Sequence, residues 1–248
     1  MKYLVALSLF CVVGLSAQTP SASEIINRAR ATIADESVLD GLVTLQMTGG
    51  IVPAEPKMPD ATLLIIARKP GSQRLEVRVD DLVETTILSG EDACIIRSNL
   101  NAKASQMRTL TGKEMDQVQY STRQYFSYFR PDFKNGERVS YEGIEQRRGI
   151  RCHKLVYSYP EEGPVTVRYF AVNDDSLVST VSDAMVESVE SGTQLIGGIK
   201  FPERVEYYQD GKKLHTVVLT NIFVNKPLPD GIFTIPQGQK QKPETTVF

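Results

Sequence analysis

The sequence predicts a mainly β protein with some α-helix. Its core is one antiparallel sheet of about eleven strands, curled into a half-open barrel, with helices lidding an apolar concave face. Three observations lead there. Most of the chain alternates apolar and polar residues with the period of a strand. Only two stretches carry helical periodicity, and they do not alternate with strands as a parallel α/β sheet requires. Leu75, Val77 and Val79 interleave with Arg74, Glu76 and Arg78, so one face of the sheet is wet. A twisted sheet of this width curls, and two helices cover only part of one face. The apolar concave space that remains is of the kind that holds a ligand.

Residues 1–17 read as a secretory signal peptide. Lys2 precedes an apolar run from Tyr3 to Leu15, and the small Ala17 is the last residue removed. The run is shorter than the roughly 20 residues that span a bilayer. Residues 18–248 then form a single domain. Its first helix opens with Ser21 and Glu24 at capping-box spacing and aligns Ile25, Ile26, Ala29 and Ile33. In "GLVTLQMTG", Leu42, Thr44 and Gln46 oppose Val43, Leu45 and Met47. In "GGIVPAEPKMPDA", Pro53, Pro56 and Pro59 forbid regular pairing. "RLEVRVDD" is a strand, and "LVETTILSGEDACII" is a pair of strands around Ser89–Asp92. The second helix opens with Thr111 and Glu114 and carries the stripe Met115, Val118, Thr122, Tyr125 and Phe129. Arg130–Pro131 stops it. Gly143 and Gly149 mark corners in the next strands, and Asn173–Asp175 marks a turn. Gly198–Asn225 closes the fold as a long hairpin turning at Asp210–Gly211.

Composition and motifs narrow the chemistry. A formal charge of −2, with 41% apolar and 23% charged residues, describes a chain with a real core and no nucleic-acid partner. Cys94 and Cys152 sit inside apolar strand-like runs and read as buried thiols, although an oxidising compartment permits a disulfide between them. His153 and His215 sit on separate strands, and Cys152 beside His153 points to the opposite face, so no metal site is assigned. There is no Gly-x-Ser-x-Gly elbow. The acid pairs Asp80-Asp81, Glu161-Glu162 and Asp174-Asp175 fall at turns, where they are solvated. "GTQLIGGIK" lacks the Lys and the following helix of a phosphate loop and reads as a turn. No catalytic residue and no cofactor is assigned, and the chain reads as a non-enzyme. Tyr120, Tyr125, Phe126, Tyr128 and Phe129 either seal the helix onto the sheet or line a pocket beneath a lid.

The order of these elements resembles the periplasmic lipoprotein carriers of LolA type and their relatives, the LolB-type receptors and RseB-type lipid sensors. The resemblance rests on "LDGLVTLQMTG", on "ATLLIIARKPGSQRLEV" with its basic-Pro pair, on "TTILSGEDACII", and on the closing hairpin with Phe233-x-x-Pro236. It implies a half-open barrel with a helical lid, a periplasmic location and no cofactor. It also implies a cavity for lipoprotein acyl chains, passed from an inner-membrane ABC-type release complex to an outer-membrane receptor. A lipid-sensing module acting on a membrane partner is the alternative. A sheltered cavity is needed because each exposed CH₂ costs about 0.8 kcal/mol in water. The family latches its lid with an Arg just before the Pro; here Lys69 stands there and Arg68 precedes it. The chain is also longer than a typical carrier, with the Pro53–Pro59 loop inserted. If Lys69 faces the cavity, parity brings Leu63, Ile65 and Ala67 with it, then Leu75, Val77 and Val79. The candidate lipid-binding residues are therefore Leu63, Ile65, Lys69, Leu75 and Val77 on the sheet, with Met115, Val118, Tyr125 and Phe129 on the lid.

Overall fold

The computed structural model describes residues 19–159, 163–182 and 184–236, so the predicted signal peptide lies outside it. The described residues open with α1 (Ala22–Ile33). The predicted capping box is formed: the Ser21 backbone N–H donates to the Glu24 carboxylate at 2.7 Å, and the Glu24 N–H donates to the Ser21 hydroxyl at 3.2 Å. A short α2 (Glu36–Asp40) follows. Next comes a meander of β1 (Thr44–Pro53), β2 (Ala61–Arg68), β3 (Ser72–Val79), β4 (Leu82–Ser89), β5 (Asp92–Asn99) and β6 (Ala104–Thr109). After α3 (Lys113–Ser127) a second meander runs through β7 (Arg138–Arg147), β8 (Ile150–Ser158), β9 (Val165–Ala171), β10 (Leu177–Ser182) and β11 (Val186–Ser191). A small hairpin, β12 (Gln194–Ile196) and β13 (Ile199–Phe201), precedes β14 (Arg204–Gln209) and the long β15 (Lys212–Val224).

The two meanders are one sheet because β15 pairs with β1 on one side and β14 on the other. The order is β6-β5-β4-β3-β2-β1-β15-β14-β11-β10-β9-β8-β7, antiparallel throughout and not closed into a barrel. Its curl can be read from α3. Thr122 is hydrogen-bonded to Gln73 on β3 at 2.9 Å, and Tyr120 to Thr166 on β9 at 2.8 Å. Seven strand spacings separate β3 from β9, about 33 Å on a flat sheet. Two residues apart on a helix is about 3 Å. Only a strongly bent sheet lets both strands reach the same helical turn.

Several expectations need correction. The main sheet has 13 strands, not about eleven, and β12–β13 forms a separate pair. β6 escaped notice because "ASQMRT" has almost no apolar face. β11 did so because Val186 and Val189 are three apart rather than two. Gly198–Asn225 is not one hairpin: Ile199–Phe201 pairs with β12, and β14 begins only after Pro202. Its turn is as expected, with Asp210 and Gly211 both at positive φ between paired Gln209 and Lys212. Thr111 does not cap α3. Gly112 is the N-cap, and Glu114 turns outward to a bidentate pair with Arg108 at 2.7 and 2.8 Å. α3 ends at Ser127, before Arg130–Pro131. Gly143 lies at a bulge within β7 rather than at a corner. Pro53 belongs to β1: β2 reaches only Ile51, so the missing N–H has no strand to serve.

Gly49 sits where the β1–β15 register slips, and a Cβ there would lie 2.2 Å from the Val218 carbonyl oxygen. Gly49→Ala should therefore cost about 1–3 kcal/mol. Urea unfolding would show a lower midpoint at unchanged slope; an unchanged midpoint would mean that the strands separate there without strain.

Candidate functional site: a lidded concave face

Parity places the predicted sheet residues on the concave side. Leu63, Ile65 and Ala67 of β2 align with Val77, Leu75 and Gln73 of β3 and with Gly49, Met47 and Leu45 of β1. Against this apolar row pack Leu39 and Leu42, Phe126 of α3, and Ile199 and Phe201 of β13. Leu63 and Ile65 are each only 8% exposed, so protein rather than empty space covers this part of the face. The lid candidates divide. Met115 and Val118 pack on Leu88, Ala93 and Leu110, and Tyr125 joins the central cluster. Phe129 belongs to a third cluster with Ile25, Ile26, Ala29, Leu155 and Phe170, and meets Phe170 edge-to-face at 5.0 Å. The nine candidates thus do not converge on one pocket.

Beyond the reach of α3 the concave face opens. A groove of about 580 Å³ runs over the ends of β3–β6, lined by the apolar Val77, Val79, Leu82 and Ala104. Its volume falls in the usual range for small-molecule sites. Val77 is the one predicted candidate on it. Leu82 was the available signal that was missed, being a large apolar residue just after the Asp80-Asp81 turn, 59% exposed. Glu84 and Arg97 face each other across β4 and β5 in the same groove and pair at 2.7 Å. Both are solvated, and such a pair is worth at most about 1 kcal/mol.

The lid is tied down by a chain of charges. Lys69 Nζ donates to the Asp40 carbonyl at 3.1 Å and lies 5.7 Å from the centre of the Phe126 ring. Burial lowers its pKa, with Asp40 opposing. Arg68, one residue earlier, lies instead over the ring of Phe233 at 4.9 Å. A stronger tie went unpredicted. Arg30 of α1 is 2% exposed. Its guanidinium grips Glu36 at 3.0 and 2.8 Å and donates through Nη1 to the carbonyls of Ser127 and Tyr128. Arg130 then pairs with Glu36 and, at 2.9 Å, with Asp40. Arg30 therefore holds the end of α3, where Tyr128 and Phe129 take φ of 42° and 72°, a left-handed turn costing about 1–3 kcal/mol per bulky residue. A signal was present: Arg30 lies four residues after Ile26 and three before Ile33, inside the apolar stripe of α1.

Cys94 and Cys152 are free, buried thiols on β5 and β8, in opposite halves of the sheet. Among the described residues no three His, Cys, Asp or Glu side chains converge as metal ligands. His153 is 5% exposed, with Nδ1 3.1 Å from the Tyr141 hydroxyl. Burial lowers its pKa below 6.5; Arg28 adds to this and Asp175 opposes it. His215 stacks on Tyr207 at 4.6 Å and is also lowered by burial.

No family model matches the chain, and no curated protein matches it by sequence. Solved structures match its fold over nearly their full length. A DUF1329 family protein from Desulfovibrio piger superposes with a TM-score of 0.59 at 11% identity, over 87% of this chain and 98% of that one. A LolA superfamily protein from Nitrosomonas europaea gives 0.57 at 13% identity, over 88% and 99%. A Vibrio parahaemolyticus domain assigned to outer membrane lipoprotein sorting gives 0.55 at 8% identity, over 85% and 95%. The chain has the LolA-type fold, the one its order of elements resembled.

Two outcomes follow. Arg30→Ala leaves the Ser127 and Tyr128 carbonyls without their donor, at a cost of about 1–3 kcal/mol. Amide exchange should then quicken at residues 127–130 ahead of the rest of α3, and uniform exchange would deny Arg30 its hold. With folded-state pKa values below 6.5, the histidines take up protons first in the unfolded chain, so stability falls as pH drops below about 6.5. His153→Gln should flatten that decline in urea titrations at pH 7.5, 6.5 and 5.5. An equally steep decline would show that His153 is not its source.

Proposed function

We propose that this chain is an exported periplasmic binding protein without catalytic activity. In this reading its concave face shelters an acyl chain, either of a lipoprotein bound for the outer membrane or of a related hydrophobic ligand. The observation that carries this is the apolar groove of about 580 Å³ left open beyond α3 on a LolA-type sheet. Signal-peptide cleavage after Ala17 would deliver the protein to the aqueous space where exposed chains need shelter. The lid residues would regulate access, with Lys69 joining the β2–β3 corner to α2. The partners of a carrier would be an inner-membrane ABC-type release complex and an outer-membrane receptor.

One observation favours a sensor module on a membrane partner as the second reading. The lid is tied by Arg30, Glu36, Arg130, Asp40 and Lys69 together. A lid held at so many points suits stable occupancy better than rapid transfer.

Native mass spectrometry of the protein exported by its own host should reveal bound acyl species. A fluorescent fatty acid should bind in the groove, with Leu82→Asp, at an exposed groove position, weakening it at least tenfold at unchanged thermal midpoint. Repeated absence of acyl species together with no effect of Leu82→Asp would overturn the reading. Lys69→Leu should speed release of the probe; unchanged release kinetics would remove Lys69 as a latch.

A further inference from the structure

The groove beyond α3 has two kinds of wall. Strand register sets one inward row as Val77, Glu84, Arg97 and Gln106, and the next as Val79, Leu82, Asn99 and Ala104. All of these residues line the groove. Its β3–β4 half is a hydrocarbon floor broken only by Glu84. Its β5–β6 half carries a guanidinium and two carboxamides. Adjacent strands lie about 4.8 Å apart, so Arg97 stands beside the apolar strip rather than beyond its far end.

The two arginines on this side are engaged differently. Arg108 stands opposite Ile95, one inward step nearer α3, and gives both Nη groups to the Glu114 carboxylate at 2.7 and 2.8 Å. That fork is filled. Arg97 gives only Nε, to Glu84 at 2.7 Å. Its Nη1 and Nη2 have no partner among the described residues, and its side chain is 70% exposed. A free guanidinium edge of this kind matches a carboxylate through two parallel N–H···O bonds. Gln106, across from Arg97 on β6, can add an amide N–H.

We propose that the groove takes a single-chain amphiphile with a free carboxylate, its tail on Val77, Val79 and Leu82 and its head on Arg97. This rests on the groove being the ligand site, and it adds which head group that site selects. The apolar strip is two strands wide, room for one chain. A neutral alcohol or ester cannot form the charge-assisted pair. An ammonium head would compete with Arg97 for Glu84 and lie against the guanidinium as a like charge. A phosphate monoester brings a second negative charge, which Glu84 on the neighbouring strand repels, whereas a carboxylate brings one.

The test titrates the purified protein, by calorimetry, with decanoate, decanol, decylammonium and decyl phosphate, each below its aggregation threshold. Decanoate should bind saturably and about tenfold tighter than decanol, with decylammonium and decyl phosphate weaker than decanoate. Arg97→Gln should bring decanoate down to the affinity of decanol, leaving decanol binding and the thermal midpoint unchanged. Arg97→Lys, which keeps the charge and loses the fork, should retain part of the preference. Decanol bound as tightly as decanoate, or an undiminished preference in Arg97→Gln, overturns the carboxylate assignment and leaves the groove as a site for acyl chains. Decyl phosphate or decylammonium bound as tightly as decanoate overturns it likewise. If none of the four binds, the groove reading itself falls and takes this inference with it.

Discussion

Thr122 and Tyr120, two residues apart on α3, are hydrogen-bonded to Gln73 on β3 and Thr166 on β9. The rest of the architecture follows from that reach. A helix turn that touches both strands fixes how far the sheet bends, and the bend decides which side chains meet across the interior. The contacts are buried: Gln73 is 2% exposed and Thr122 0%, so losing one partner leaves a stranded polar group at a cost of about 1–3 kcal/mol. Apolar packing alone would let α3 slide along its stripe. The two polar contacts set its position.

With α3 placed, the concave side divides into regions of different chemistry. Over β1–β3 it is a dry core closed by Phe126, Leu39 and the β12–β13 hairpin. Over β7–β9 it is closed by α1 through Ile25, Ile26 and Ala29. Beyond these covers, Val77 and Leu82 face an open groove. The three α-helices of the described residues cannot roof all thirteen strands, so some of the inner face meets water, and the local strand sequence decides whether that part is greasy or charged.

What could be read from the chain was what depends on neighbours in sequence. Ser21 and Glu24 announce the start of α1 because a capping box spans four residues. The inward side of Leu63, Ile65, Leu75 and Val77 was legible because one-sided burial imposes a period of two. The Thr111–Glu114 box failed because Glu114 found Arg108, a partner outside the helix. Arg30 was passed over because its partners, the Ser127 and Tyr128 carbonyls, are nearly a hundred residues away. β11 was equally silent: its place beside β14 depends on long-range pairing, and "VESVES" does not alternate as a strand should. The order of elements suggested the fold while hiding the division of its interior.

Among the described residues the sheet has two unpaired margins, β6 and β7. A closed barrel ties strand number to tilt and stagger, so adding a strand means rebuilding every other one. An unclosed sheet carries no such condition. Strands can be gained at either rim while Gln73, Thr166 and the helix between them stay where they are. Width is thus a free variable of this architecture, and an inner trough can be lengthened to suit a larger guest without disturbing the packing at its centre.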